Sequence, residues 1–266
     1  MMCFLLALAA QASSGVTSGT TTTIGIQRRR LRPGGASAEC RALLEAEALD
    51  WVLEPFACGG METSNASLVL GTGLGNTGTR SVAAAVELLG VPTCHQAKAV
   101  VALLRSSSPR DMRPFARSRA YFDTPMATLW RRLACAFPNY AVVHTTRAGY
   151  RRDYAHRKPG QSAKCTAATP LHFRIVRCLE YGSACPTLDD TLAAFEAIDA
   201  EVHALVPRAR LHVMNLSAGF ELQPLAAFLG RAVPPGLASV PNSTAFFCHK
   251  LDDAGFKSRR HWPTLE

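Results

Sequence analysis

Short runs of consecutive apolar residues alternate along this chain with longer stretches whose apolar positions recur every three or four residues. The first run, Leu68-Val69-Leu70-Gly71, predicts a buried strand, and residues 81–89 predict the helix that follows it. Arg119-Ala120-Tyr121-Phe122-Asp123 predicts a second strand. Pro125 then opens a helix to about residue 137, proline being favoured at the first helical position. Another strand is expected over residues 140–145. Leu188, Leu192, Phe195, Ile198, Val202 and Leu205 fall on one face of a single long amphipathic helix. Residues 211–216 close the series as a buried strand that includes Asn215, with a helix over 222–229. A short helix from Ala38 to about Leu53 precedes the first strand. Strands alternating with helices predict an α/β fold of three layers, α/β/α, around a central, mostly parallel sheet.

The ends of the chain read differently. Met1-Met2-Cys3-Phe4-Leu5-Leu6-Ala7-Leu8-Ala9-Ala10 is an apolar run of about ten residues, half of the ~20 that a membrane span requires. Small residues follow it, so residues 1–14 are expected to be a secretory signal peptide. Residues 15–36, rich in Ser, Thr and Gly and ending in Arg28-Arg29-Arg30-Leu31-Arg32-Pro33, read as a flexible linker. Residues 37–266 are then a single domain, and no later stretch reaches spanning length. Of the nine cysteines, eight lie beyond the leader. An even number suits an oxidising compartment, the Golgi lumen or the cell exterior, and the lack of any C-x-x-C pair speaks against a zinc site. Cys178 and Cys185 bracket a short loop that a disulfide would close. Asn65, Asn215 and Asn242 carry the N-x-S/T pattern of a glycoprotein, a pattern common by chance.

Composition adds one constraint. Of 266 residues, 48% are apolar and 18% charged, which excludes a disordered tail, a collagen-like repeat or a coiled coil. The formal charge of +9 calls for an anionic partner. The basic residues cluster at 28–32, 105–119, 147–158 and 257–260. Tyr150 and Tyr154 are the aromatic residues interleaved with them, which argues against a nucleic-acid surface.

The segment Gly71-Thr72-Gly73-Leu74-Gly75-Asn76-Thr77-Gly78-Thr79-Arg80-Ser81 joins the first strand to its helix, at the sheet edge where such folds bind ligands. Its glycines let backbone N–H groups converge, the helix N-terminus adds partial positive charge, and Thr77, Thr79 and Ser81 bring hydroxyls. That is a phosphate cradle. Gly73 and Gly78 have the Walker A spacing, yet Thr79 stands where that loop needs lysine, so ATP hydrolysis is poorly supported. Gly73, Gly75 and Gly78 also fit the dinucleotide fingerprint, but the region about 20 residues on lacks the required acid.

A third reading fits. Gly-Leu-Gly-Asn-Thr-Gly-Thr-Arg-Ser resembles the 5′-phosphosulfate loop of the P-loop sulfotransferases, in the branch with a G-x-G-x-x-R-T-G-T-x-S pattern. Further similarities follow in order: His95 after Cys94, the helix start Asp123-Thr124-Pro125, and the strand from Phe137 to Arg147. The C-terminal Phe228-Leu229-Gly230, Pro234-Pro235 and Asn242 complete the set. The resemblance implies a P-loop NTPase-like sulfotransferase fold and transfer of a sulfuryl group from 3′-phosphoadenosine 5′-phosphosulfate (PAPS). The acceptor it implies is a hydroxyl of a carbohydrate, an anionic glycan among the candidates, or of a small molecule. It implies further that Gly75, Asn76, Thr77, Gly78, Thr79, Arg80 and Ser81 hold the 5′ end of the donor and Arg147 its 3′-phosphate, with no metal. Two positions depart from the pattern. Asn76 replaces the usual basic residue before T-G-T, and Ala155 stands where a serine is usual. A catalytically weakened relative that binds nucleotide or sulfated glycan is therefore the alternative.

His95 is the first candidate for the base that deprotonates the acceptor, because it reaches the ligand edge and its ordinary pKa suits neutral pH. Its competing reading is a buried histidine bonded to backbone. Asp123 is the second candidate, with helix capping as its competing reading. His144 reads as packed within its strand and His203 as a surface residue.

Overall fold

The computed structural model describes residues 35–157, 165, 168–236 and 247–248. The proposed signal peptide, most of the linker, Asn242 and the basic clusters at 28–32 and 257–260 lie outside these residues. A helix α1 (Ala38–Ala46) precedes the strand β1 (Leu68–Gly71), which leads into α2 (Thr79–Leu88). There follow β2 (Thr93–His95), α3 (Ala97–Arg105), β3 (Ala120–Tyr121), α4 (Met126–Ala136), β4 (Tyr140–Thr146) and α5 (Tyr150–Arg157). The chain continues through α6 (Leu171–Tyr181), α7 (Leu188–Leu205), β5 (Leu211–Asn215), α8 (Leu222–Phe228) and β6 (Phe247–Cys248).

The sheet runs β5-β4-β1-β3-β2-β6, with the first five strands parallel and β6 antiparallel to β2. Alternate residues of each central strand feed opposite layers, as the two-residue period of a strand requires. Leu68, Leu70, Tyr121 and Val142 pack with α1, α3, α4, α6 and α7 on one face. Val69, Phe122 and Val143 pack with α2 and α8 on the other. This is the three-layer α/β/α fold expected, and among the described residues no helix is long and apolar enough to cross a membrane.

Local sequence explains the helix ends. Ser37 caps α1 by accepting the Cys40 N–H at 3.1 Å. Thr187 and Asp190 form a reciprocal capping box at the start of α7, which spans the full predicted range. Pro125 differs from expectation: it precedes α4 as its cap rather than filling its first turn. The first predicted helix stops at Ala46, and a single 3-10 turn at Asp50–Val52 takes over. Asn215 is only half-buried, because β5 borders the sheet on one side alone and alternating exposure replaces full burial.

Eight cysteines form four disulfides: Cys40–Cys178, Cys58–Cys135, Cys94–Cys248 and Cys165–Cys185. The bridge between Cys178 and Cys185 that their spacing would allow is not formed. Cys178 lies on the face of α6 that packs against α1, where Cys40 meets it, and Cys185 follows the Gly182 turn away from that contact toward Cys165.

Candidate functional site

The strand order puts β1 between β3 and β4, and the chain leaves β1 and β3 toward opposite faces through α2 and α4. A crevice opens at the carboxyl ends of strands at such a reversal. Four segments meet there: the loop after β1, His95 at the end of β2, Asp123 just beyond β3, and Thr145 and Arg147 at the end of β4.

The loop is braced from below by β4. Thr77 donates its hydroxyl to the Leu74 carbonyl at 2.6 Å, so the 2.7 Å contact between the Thr77 and Thr145 hydroxyls has Thr145 as donor. Gly73 lies so near β4 that a Cβ there would stand 1.7 Å from Thr145 Oγ1. From above, Arg147 Nη1 donates to the Asn76 carbonyl at 2.8 Å and Tyr150 donates its hydroxyl to the Gly75 carbonyl at 2.9 Å. Burial pushes the Tyr150 hydroxyl pKa far up, which keeps it protonated as a donor. The loop turns into α2 through two left-handed residues, Asn76 at φ 72° and Gly78 at φ 92°. Asparagine tolerates that region better than most residues. At Gly78 only glycine fits, because a Cβ would also stand 2.5 Å from the Phe220 ring.

Gly75, Asn76, Thr77, Gly78, Thr79, Arg80, Ser81 and Arg147 are thus gathered around one turn and the start of α2. They do not all face the same way. Thr77 is fully buried and its hydroxyl is spent inside the loop. Thr79 is 4% exposed and its hydroxyl lies 3.1 Å from His95 Nε2. Gly75, Asn76, Arg80 and Ser81 are partly exposed at the mouth. Gly78, the residue before α2, brings no side-chain cap to the helix start. Such an N-terminus favours an anion.

His95 and Asp123 come together at the same mouth, with Nδ1 and Oδ2 3.8 Å apart. Asp123 does not cap α4 with its carboxylate, for it is its backbone carbonyl that accepts the Met126 N–H at 2.9 Å. Nor is His95 bonded only to backbone, given its contact with Thr79. The histidine is 1% exposed and the aspartate 15%. Burial lowers the His95 pKa below 6.5, the Asp123 charge opposes this, and Arg80 nearby adds to the lowering. The imidazole is neutral at pH 7.

Residues 68–152 match the family model of a sulfotransferase domain. This supports a sulfotransferase family for the chain. The matched stretch is roughly a third of the sequence, and it holds the whole loop, both members of the His95–Asp123 pair and Arg147. It ends inside α5, just past the last residue that touches the loop from above, Tyr150. No curated protein matches the chain.

Two further histidines belong to a separate group. His144, read from the sequence as packed, is 2% exposed in β4, with Nδ1 2.9 Å from the Thr72 hydroxyl and Nε2 3.0 Å from Asp199 Oδ1. His203 is half-exposed on α7, as expected, with Nε2 3.8 Å from the same oxygen. Sequence reasoning missed this group. Asp199 and His203 lie four apart and share a helix face, but only the packing of α7 beside β4 brings His144 to them.

Proposed function

We propose that this sulfotransferase-related protein moves a sulfuryl group from PAPS to a hydroxyl acceptor, a carbohydrate or a small molecule. The observation that carries the reading is the braced, glycine-rich loop of residues 72–78 running into the N-terminus of α2. The cradle suits the donor's 5′ end: Gly75 has open space where a Cβ would point, so phosphate-sized oxygens can approach the backbone. When bound, PAPS supplies an electrophilic sulfur and a nucleotide phosphate leaving group. The N–H groups at the start of α2, with Ser81 and Arg80, hold the phosphate and offset charge as the sulfur–oxygen bond breaks. Arg147, with one of its five N–H donors on Asn76, is the residue for the 3′-phosphate.

The acceptor's proton goes to the Asp123–His95 pair. Asp123 is the more exposed of the two and meets the hydroxyl first. His95, neutral and held by Thr79, steadies the carboxylate and shares the proton. Taking that proton would leave the acceptor oxygen nucleophilic toward the sulfur that the bound donor would present. Four disulfides support a secretory-pathway location, which is where an N-terminal signal would deliver the chain.

A weakened, binding-only protein is the second reading, and Asn76 favours it. An amide in place of a cation gives a neutral hydrogen bond, about half as strong as a charge-assisted one. Calorimetric titration with 3′,5′-adenosine bisphosphate tests both readings together, with Arg147→Ala as control. Binding that falls with salt and with the substitution is expected, and a silent wild type refutes the nucleotide site. Transfer assays on wild type, Asn76→Arg and Arg80→Ala then separate them. Activity in wild type that Arg80→Ala abolishes supports the enzyme. Activity that appears only in Asn76→Arg supports the weakened protein.

A further inference from the structure

We propose that His144, Asp199 and His203 form a binding site for a zinc-type divalent transition ion, separate from the phosphate loop. Among the described residues this is the one group of three metal-ligating side chains whose donor atoms converge, all within 4.8 Å of one another. Bonds of about 2.0–2.1 Å at tetrahedral angles hold ligand atoms about 3.4 Å apart. The two spacings from Asp199 Oδ1, 3.0 Å to His144 Nε2 and 3.8 Å to His203 Nε2, fall on either side of that value. The third spacing, between the two imidazole nitrogens, is within 4.8 Å.

The donor set suits zinc, since two imidazoles and one carboxylate are its ordinary nitrogen and oxygen ligands. Cysteine spacing says nothing against this site: all eight described cysteines are in disulfides, and no thiol is involved. His144 also has the supporting contact that metal-bound histidines share. Its Nδ1 faces the Thr72 hydroxyl at 2.9 Å, which orients the ring with Nε2 toward the ligand position. The ion takes the place of the proton between His144 Nε2 and Asp199, and the neutral ring then carries its proton on Nδ1, donated to the Thr72 hydroxyl. With Asp199 and His203 partly exposed, the fourth position is open to water.

The site ties α7 to β4 one residue before Thr145, which braces the phosphate loop, and through Thr72 to the loop's first residue. It takes no part in the transfer chemistry proposed above and stands or falls independently of it.

The test is zinc titration of the tag-free, disulfide-intact chain by calorimetry, repeated with His203→Ala and Asp199→Asn. Cobalt substitution is read alongside by visible absorption. One ion per chain is expected, with affinity at least about tenfold weaker in either variant, the minimum seen when even a supporting residue of such sites is lost. A cobalt spectrum of low coordination number, lost in His203→Ala, is expected as well. His203 is half-exposed, so circular dichroism of that variant should match wild type and secure the comparison. Less than stoichiometric zinc uptake by wild type, or equal uptake by folded His203→Ala, overturns the site.

Discussion

Glycine at position 73 is required by distance and glycine at position 75 is not, so the same substitution two residues apart should have opposite effects. In Gly73→Ala the new methyl would lie 1.7 Å from Thr145 Oγ1, 2.7 Å from the Thr145 carbonyl oxygen and 2.7 Å from Thr77 Oγ1. One of these atoms is backbone and the other two belong to the buried hydroxyl pair that braces the loop, so none can yield cheaply. Moving the loop off β4 costs about 1–3 kcal/mol as overpacking. Breaking the Thr145–Thr77 bond leaves a buried hydroxyl unsatisfied for about 1–3 kcal/mol more. A net loss of about 2–6 kcal/mol follows. In Gly75→Ala the methyl meets nothing within 4 Å, and the backbone there is not left-handed. Restricting the unfolded chain should then stabilise the protein by about 0.4–1 kcal/mol. Denaturant unfolding of both disulfide-intact variants, followed by tryptophan fluorescence, measures the difference. Equal midpoints, or a Gly73→Ala protein as stable as wild type, would refute the claim that β4 props the loop by direct contact.

Arg132 is 2% exposed, donates to the Trp51 and Glu54 carbonyls at 2.6 and 2.8 Å, and lies 4.3 Å over the Phe56 ring. Burial brings its pKa down to about 10, and Arg132→Ala, which strands both carbonyls, should cost about 2–4 kcal/mol by thermal unfolding. His95 has a folded pKa below its unfolded value of 6.5, so its contribution to stability is complete above pH 6.5 and is lost as pH falls through the folded pKa. Replacing it with Gln should flatten the fall in unfolding free energy below pH 6.5, and an unchanged slope would contradict the shift. Mass mapping of non-reduced peptides should join Cys40 to Cys178 and Cys165 to Cys185. Cys40→Ser with Cys178→Ser should lower stability by about 2–5 kcal/mol in the same unfolding assay.

Much of the architecture was legible because it rests on local period. Leu68 to Gly71 is uniformly apolar because both faces of β1 are covered, and α7 carries its boundaries in a capping box that sequence spells out. The glycine-rich loop was legible for a related reason. Its demands on φ and on close approach leave few residue types at Gly73 and Gly78, so the turn shows in the letters. What stayed hidden depends on partners distant in sequence. The pairing of Cys178 with Cys40 spans 138 residues and follows from how α1 packs on α6. Asp123 read as readily as a helix cap, and only the fold, by adding β2 beside β3, sets His95 against it. His144 looked like any packed strand histidine until α7 was laid beside it.

The braces on the loop all come from one stretch of chain. Thr145 supports Thr77 from below, and Arg147 and Tyr150 hold the Asn76 and Gly75 carbonyls from above. Residues 145–150 therefore shape the loop as well as flank it, and they lie inside the stretch that matches the family model. It also changes the meaning of the neutral residue at position 76. The amide side chain carries no charge to the site, but the same residue adopts the left-handed turn and turns its carbonyl toward Arg147. A guanidinium is thereby fixed at the tip of the loop through the backbone of residue 76. What position 76 contributes to holding Arg147 is therefore its turn conformation and its carbonyl, not its side chain.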